Sequence, residues 1–141
     1  MQQLVEFIGN HPYLATLWVV LAIFLIYSYI ETIISPLKYV STLEATQLIN
    51  KEEAVILDIR NAGDFKKGHI LGARQIGQEA VSKADFSKLE NEKNKPIIVV
   101  CAMGVSAKRT AMQLLKAGFA KASVLKGGMN TWQGEGLPIK K

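Results

Sequence analysis

From Pro12 to Ile30 the chain runs for nineteen residues without a formal charge, and nothing else in the sequence restricts its fold as strongly. At about 1.5 Å per helical residue, such a segment nearly matches a hydrocarbon core of about 30 Å. Ile33, Ile34 and Leu37 extend the apolar character around Glu31. The expectation is a membrane-spanning helix over about residues 12–34, with residues 1–37 forming tail and anchor and residues 38–141 forming one domain of ordinary size. A cleaved signal sequence fits poorly, because the first basic residue is Lys38 and Ser28-Tyr29-Ile30 lacks the small-x-small cleavage pattern. A buried core helix fits poorly too: the segment is apolar throughout, and Trp18, Tyr27 and Tyr29 sit toward its ends, as in a membrane-interface belt.

Charge then orients the anchor. All 17 Lys and Arg residues lie at or after Lys38, together with ten acidic residues, whereas the first 35 residues hold only Glu6 and Glu31. The positive-inside rule therefore places the domain in the cytoplasm and the short N-terminal tail outside, across the cell membrane in a single pass. A basic domain beside an anionic leaflet is electrostatically favourable. The lysines are scattered, with no basic cluster interleaved with aromatics, which argues against nucleic acid as a partner. A single cysteine excludes an intrachain disulfide and suits a reducing compartment. His11 precedes the span, and His69 and Cys101 are far apart in sequence, so neither a metal centre nor a cofactor is expected.

Beyond the anchor the apolar pattern alternates between the periods of strand and helix. Ser41-Thr42-Leu43-Glu44 has capping-box spacing and opens a helix of about two turns. Ala54 to Ile59 reads as a buried strand ending in Asp58-x-Arg60, and Asp64 to Ala73 as a short helix or turn closed by Gly68 and leading to a strand at Arg74 to Ile76. Ser82 to Lys93 reads as a polar helix with Phe86 and Leu89 inward. A strand at Ile97 to Val100, a helix from Ala107 to about Ala117, a strand at Ser123 to Leu125 and a last helix opening at Gly127-Gly128 follow. Near-continuous apolar strands alternating with helices predict a small parallel α/β sheet covered on both faces.

In such sheets, sites form beyond the carboxyl ends of the strands, and the only cysteine, Cys101, ends the strand Ile97 to Val100. The following loop contains Gly104, which lets the backbone curl, and the small residues Ala102, Ser106 and Ala107, which leave space above the thiol. Loop N–H groups and the positive end of the next helix favour a thiolate or a bound anion there. The competing reading is an inert packed thiol, since free cysteine is among the most buried residue types.

Residues 42 to 138 resemble a single rhodanese domain. Asp58-Ile59-Arg60, Asp64-Phe65 and Gly68-His69-Ile70-x-Gly72-Ala73 match that family's first signature at nearly every position. Gly127-Gly128-Met129-x-x-Trp132-x-x-x-Gly136-x-Pro138 is similar to its C-terminal signature, and with the anchor the whole chain resembles membrane-anchored single-domain rhodaneses. The resemblance implies a rhodanese-like α/β domain with a central five-stranded parallel sheet flanked by helices, preceded by one N-terminal transmembrane helix. It also implies a sulfurtransferase in which Cys101 takes sulfane sulfur as a persulfide from a donor such as thiosulfate or a protein persulfide and passes it to a thiol acceptor. Ala102, Met103, Gly104, Val105 and Ser106 then cradle the anionic donor through their amides, with Ala107 and Arg109 completing the substrate-binding set. The six-residue loop Cys101 to Ser106 has the sulfurtransferase length. A phosphatase-type loop is one residue longer, with an arginine where this chain has Ala107.

The chain departs from the family at Ser106 and Ala107, where active single-domain rhodaneses usually carry Arg or Lys followed by Ser or Thr. Loss of a guanidinium–sulfonate interaction worth roughly 1.5–3 kcal/mol predicts weak thiosulfate turnover, tenfold to a hundredfold lower at about 1.4 kcal/mol per decade. The same departure, with the anchor, supports an alternative: a catalytically weak rhodanese-fold module that binds a membrane-protein partner. Asp58 and Arg60 are expected to form a structural pair, His69 to hydrogen-bond backbone near its turn, and Trp132 to pack the last helix on the sheet. Met103 either lines the pocket or covers the loop.

The topology is directly testable in a Cys101→Ser background. A cysteine introduced at Gln3 should react with a membrane-impermeant maleimide in intact cells, and one introduced at Lys141 only after lysis. The reverse pattern overturns the orientation.

Overall fold

The computed structural model describes residues 2–34 and 37–141. The chain divides into two compact units, residues 1–36 and 37–141. The first contains helix α1 (Gln2–Asn10) and helix α2 (Pro12–Ile34). Pro12 stands at the first position of α2, where its missing N–H costs no helical bond. Bonds from the His11 N–H to the Phe7 carbonyl (2.9 Å) and from the Ala15 N–H to the His11 carbonyl (3.0 Å) carry helical bonding across the junction. At 23 residues, α2 is about 35 Å long and matches a bilayer core. It is the one helix among the described residues long and apolar enough to cross a membrane, over Pro12–Ile30, and that stretch is not buried against protein. No α1 was expected from the sequence, because Gln2–Asn10 is too short to stand out by periodicity.

The second unit is built on a five-stranded parallel sheet of order β1-β6-β5-β2-β4, formed by β1 (Lys38–Val40), β2 (Val55–Asp58), β4 (Arg74–Gln75), β5 (Ile97–Val100) and β6 (Ala122–Leu125). β5 is central, and all four of its residues are buried. Their alternation divides the core. Ile97 and Val99 face a cluster with Leu57, Phe86, Leu89, Ala111, Leu114 and Val124, while Ile98 and Val100 face one with Ala45, Ile56, Leu125, Met129 and Trp132. The first cluster is covered by α6 (Ala107–Lys116), the second by α3 (Thr42–Glu52) and α7 (Gly128–Gly134). A strand buried on both faces reads as a continuous apolar run, which is why Ile97–Val100 is β-branched throughout.

Several local expectations are corrected. The capping box at Ser41 and Glu44 is present with both reciprocal bonds, but α3 runs eleven residues rather than two turns, ending at Glu53 in the left-handed region. The expected helix Ser82 to Lys93 is instead α5 (Gln78–Ser82) followed by a 3₁₀ helix (Ser87–Glu92). The break has a local cause: the Asp85 carboxylate accepts from both the N–H and hydroxyl of Ser87, and Ala84 adopts φ 52°. Phe86 and Leu89 are nevertheless buried, and their i,i+3 spacing suits a 3₁₀ turn. The short helix before Gly68 is α4 (Ala62–Lys67), with Asn61 accepting from the Asp64 N–H. β3 (His69–Ile70) pairs antiparallel with β7 (Ile139–Lys140), a two-residue contact between distant parts of the chain that no local pattern announces.

Leu114 is fully buried between α6 and the sheet. Leu114→Ala should lower the urea-unfolding free energy by about 2–5 kcal/mol with little change in the denaturant slope. A change below 1 kcal/mol would contradict this packing.

Candidate active site

Cys101 follows β5 at the carboxyl end of the sheet and is only 4% exposed. The chain then curls back on itself. Gly104 takes φ +85°, a conformation that strains any side chain, and its N–H donates to Cys101 Sγ at 2.9 Å. The Ser106 hydroxyl and the N–H groups of Ala107 and Met103 also favour the anion of the thiol. Ser106 is the N-cap of α6, and its side chain makes no cap bond. Burial by itself pushes the thiol's pKa up. The Ser106 hydroxyl and the Ala107, Gly104 and Met103 N–H groups outweigh it, so the net direction is downward, toward the thiolate.

The curl is braced from the neighbouring strand-to-helix turn. The Met129 N–H donates to the Cys101 carbonyl at 2.9 Å, and the Asn130 N–H to the Ala102 carbonyl at 3.0 Å. In a trans peptide the carbonyl and the next N–H point opposite ways, so fixing the Ala102 carbonyl on α7 turns the Met103 N–H toward the sulfur. The close approach needs glycine: a Cβ on Gly128 would lie 2.3 Å from the Cys101 carbonyl oxygen, and Gly128 has φ +60°. Gly127-Gly128 reads in the sequence only as a helix start. Its bracing of the cysteine loop depends on two segments meeting across the sheet.

The loop brings Cys101, Met103, Gly104, Ser106 and Ala107 together around the thiol. Ala102 is exposed and contributes its carbonyl to the brace, while Met103 and Val105 project outward, 66% and 78% exposed. Arg109 is exposed on the first turns of α6, and among the described residues it makes no side-chain hydrogen bond or ion pair; it is not among the thiol's donors. Lys126, which sequence reasoning passed over, lies directly beside the loop. The flanking Leu125 oxygen and Gly127 nitrogen are 3.1 and 3.0 Å from where a Gly104 Cβ would stand. Among the described residues no group of three or more His, Cys, Asp or Glu side chains could hold a metal ion.

Asp58, Arg60, His69 and Trp132 lie outside the thiol's donor ring. Arg60 Nη2 and Asp58 Oδ2 are 2.7 Å apart, Arg60 Nε reaches both carboxylate oxygens, and Arg60 Nη2 also donates to the Gly68 carbonyl at 2.8 Å. This pair thus ties the end of β2 to the end of α4. His69 stacks on Phe65 with ring centroids 3.9 Å apart, and its Nδ1 donates to the Phe65 carbonyl at 2.9 Å. Trp132 is buried against β5, and its indole N–H donates to the Pro138 carbonyl at 3.1 Å.

Comparison with known proteins agrees with this geometry. The family profile described as Rhodanese-like domain matches residues 41–135. Over 139 residues the chain is 40% identical to the Escherichia coli K12 "Uncharacterized protein YibN", covering 99% of this chain and 97% of that protein. It is 35% identical over 98 residues to the "Thiosulfate sulfurtransferase GlpE" of Pseudoalteromonas translucida, covering 68% of this chain and 89% of that protein. Among solved structures, a rhodanese-related protein from Thermoplasma volcanium superposes with a TM-score of 0.64 at 22% identity, covering 73% of this chain and 97% of that one, a likeness of fold.

Alkylation by iodoacetamide reads the thiolate directly. Its pH midpoint should lie below the ordinary thiol value of about 8.5, and Ser106→Ala should move it upward. A depressed thiol also links to stability: its contribution is present above the unfolded-state pKa and is lost as pH falls through the folded value. A midpoint at or above 8.5 in the unaltered protein would overturn the donor-ring account.

Proposed function

Because the chain belongs to the rhodanese-like domain family, we propose that it is a membrane-anchored sulfurtransferase that carries sulfane sulfur as a persulfide on Cys101. The observation that carries this reading is the thiol itself, buried at the end of β5 and ringed by hydrogen-bond donors that draw it toward the thiolate. An inert packed cysteine needs no such ring. The 35% identity to a thiosulfate sulfurtransferase supports thiosulfate as one donor.

In the first half-reaction the Cys101 thiolate attacks the outer sulfur of thiosulfate. The new S–S bond forms as the bond to the sulfonate sulfur breaks, and sulfite leaves with that electron pair, so no net proton or redox equivalent is required. The persulfide's outer sulfur then carries the charge, and the Gly104, Met103 and Ala107 N–H groups and the Ser106 hydroxyl are placed to receive it. A pre-formed thiolate removes the need for a general base, consistent with His69 being engaged by Phe65. In the second half-reaction a thiol acceptor takes the outer sulfur and regenerates the thiolate.

Residues 102 to 106 contain no cationic side chain. With no guanidinium in the loop to bind the sulfonate, thiosulfate turnover is expected to be slow, while a protein persulfide, which brings no sulfonate, is not penalised. Residues 1–37 serve as the anchor, with α2 in the inner membrane, the N-terminus outside and the domain of residues 38–141 in the cytoplasm. The length and apolarity of Pro12–Ile30 and the confinement of every Lys and Arg to position 38 onward support this arrangement.

Intact-mass measurement of the purified full chain, incubated with thiosulfate and separately with a low-molecular-weight persulfide, should show a gain of one sulfur that is absent in Cys101→Ala. An unchanged mass with both donors, in protein with a cooperative unfolding transition, would overturn the proposal. The result would instead favour a rhodanese-fold module that binds a membrane protein.

A further inference from the structure

Several surface cations of the domain are paired: Lys95 with Glu92 and Glu53, Lys121 with Glu52, Lys93 with Glu90. Three at the carboxyl end of the sheet, beside the cysteine loop, are not. Lys108 and Arg109 on the opening turn of α6, and Lys126 after β6, make no side-chain hydrogen bond or ion pair among the described residues. The carboxylates at that end are engaged elsewhere: Asp58 by Arg60, Glu79 by Lys83, Asp64 by Lys67. Glu44 lies within electrostatic range of Lys126, but its carboxylate is hydrogen-bonded to Ser41.

Apolar surface sits on the same rim. Met103 and Val105 flank Gly104 and are among the most exposed large apolar side chains of the domain, although the loop beneath them is tightly hydrogen-bonded. A small anion held by backbone amides makes no use of two exposed apolar side chains or of three cations outside the loop. A protein surface can use both, with apolar contact at the centre of the patch and charge around it.

We infer that the rim formed by Met103, Val105, Lys108, Arg109 and Lys126 is a docking surface for a protein acceptor whose thiol lies within an acidic surface. The inference rests on the sulfurtransferase reading above and names its acceptor. The transfer is balanced: the acceptor thiol bonds to the outer sulfur, the bond from that sulfur to Cys101 Sγ breaks, and Sγ leaves as the thiolate. The acceptor's proton remains with the product persulfide. Acidic neighbours disfavour ionisation of the free acceptor thiol; docking against the three cations offsets this, so the attacking thiolate forms chiefly in the complex. Charge complementarity also accelerates encounter, in a manner that salt screens.

The test uses the full chain in detergent micelles, loaded with one sulfur on Cys101 as verified by mass. Three synthetic peptides with one central cysteine serve as acceptors, flanked by four glutamates, four serines or four lysines, with 2-mercaptoethanol as a small neutral control. The glutamate peptide should accept sulfur roughly tenfold faster than the serine peptide at low ionic strength, and the lysine peptide slowest, with the differences collapsing in about 0.5 M salt. Lys108→Gln combined with Lys126→Gln should remove most of the glutamate advantage while leaving transfer to 2-mercaptoethanol unchanged. Equal rates for the three peptides, or a lead for the lysine peptide, would overturn the inference while the loaded persulfide still stands. Failure to load any sulfur tells against the sulfurtransferase reading instead. If phosphatidylglycerol vesicles abolish the glutamate preference at a concentration at which phosphatidylcholine vesicles do not, the cationic rim is a lipid-facing surface and the protein-docking assignment falls.

Discussion

The cysteine loop depends on the contact between its first two carbonyls and the opening N–H groups of α7. A loop that turns its amides inward must turn its carbonyls outward, and buried carbonyls without partners are costly. Met129 and Asn130 supply those partners from a segment more than twenty residues further along the chain. Gly128 makes the approach possible, because a Cβ at that position would overlap the Cys101 carbonyl oxygen. With the carbonyls fixed from behind, amides can converge on the sulfur from the front. The glycine pair is therefore part of the thiol's electrostatic environment without touching the thiol.

That environment is a balance of two opposed effects. Removing Cys101 from water favours the neutral thiol, and the surrounding hydrogen bonds favour the anion; the hydrogen bonds prevail. Ser106 matters because its hydroxyl favours the thiolate while its backbone opens α6. An arginine at the same position would exchange that donor for a charge suited to a sulfonate. The chain thus retains a means of holding a sulfur anion and lacks, within the loop, a means of gripping a small dianion. Lys108, Arg109 and Lys126, which form no ion pair, stand outside the loop.

The two units differ in where their apolar residues sit. In α2 the backbone bonds are satisfied internally and the apolar surface extends all round, as lipid requires and water disfavours. In the second unit the buried apolar residues form two clusters, one on each face of the sheet. The sharp change in character near residue 37 shows in both charge and hydropathy, since every cation of the chain lies beyond it.

Much of this was legible in the sequence wherever one physical pattern dominates locally. The β-branched run Ile97–Val100 can only be a buried strand, the Ser41–Glu44 capping box marks a helix start, and uniform apolarity over Pro12–Ile30 marks a helix for lipid. The position of Cys101 at a strand end, with a glycine in its loop, pointed to the site. What remained illegible depends on weak local signals or distant partners. Lys38–Val40 is too short to declare itself a strand without β6 beside it, and His69–Ile70 is a strand only because Ile139–Lys140 lies against it. The segment Ser82 to Lys93 breaks because one Asp85 carboxylate captures Ser87, a competition that helical periodicity does not record. Order along the chain thus determined most of the elements, the long apolar helix and the candidate nucleophile, because periodicity, charge and turn chemistry act between near neighbours. Only the tertiary structure decided which amides face the sulfur, which glycine lets α7 brace the loop and which cations are left without partners, because each requires segments far apart in sequence to meet.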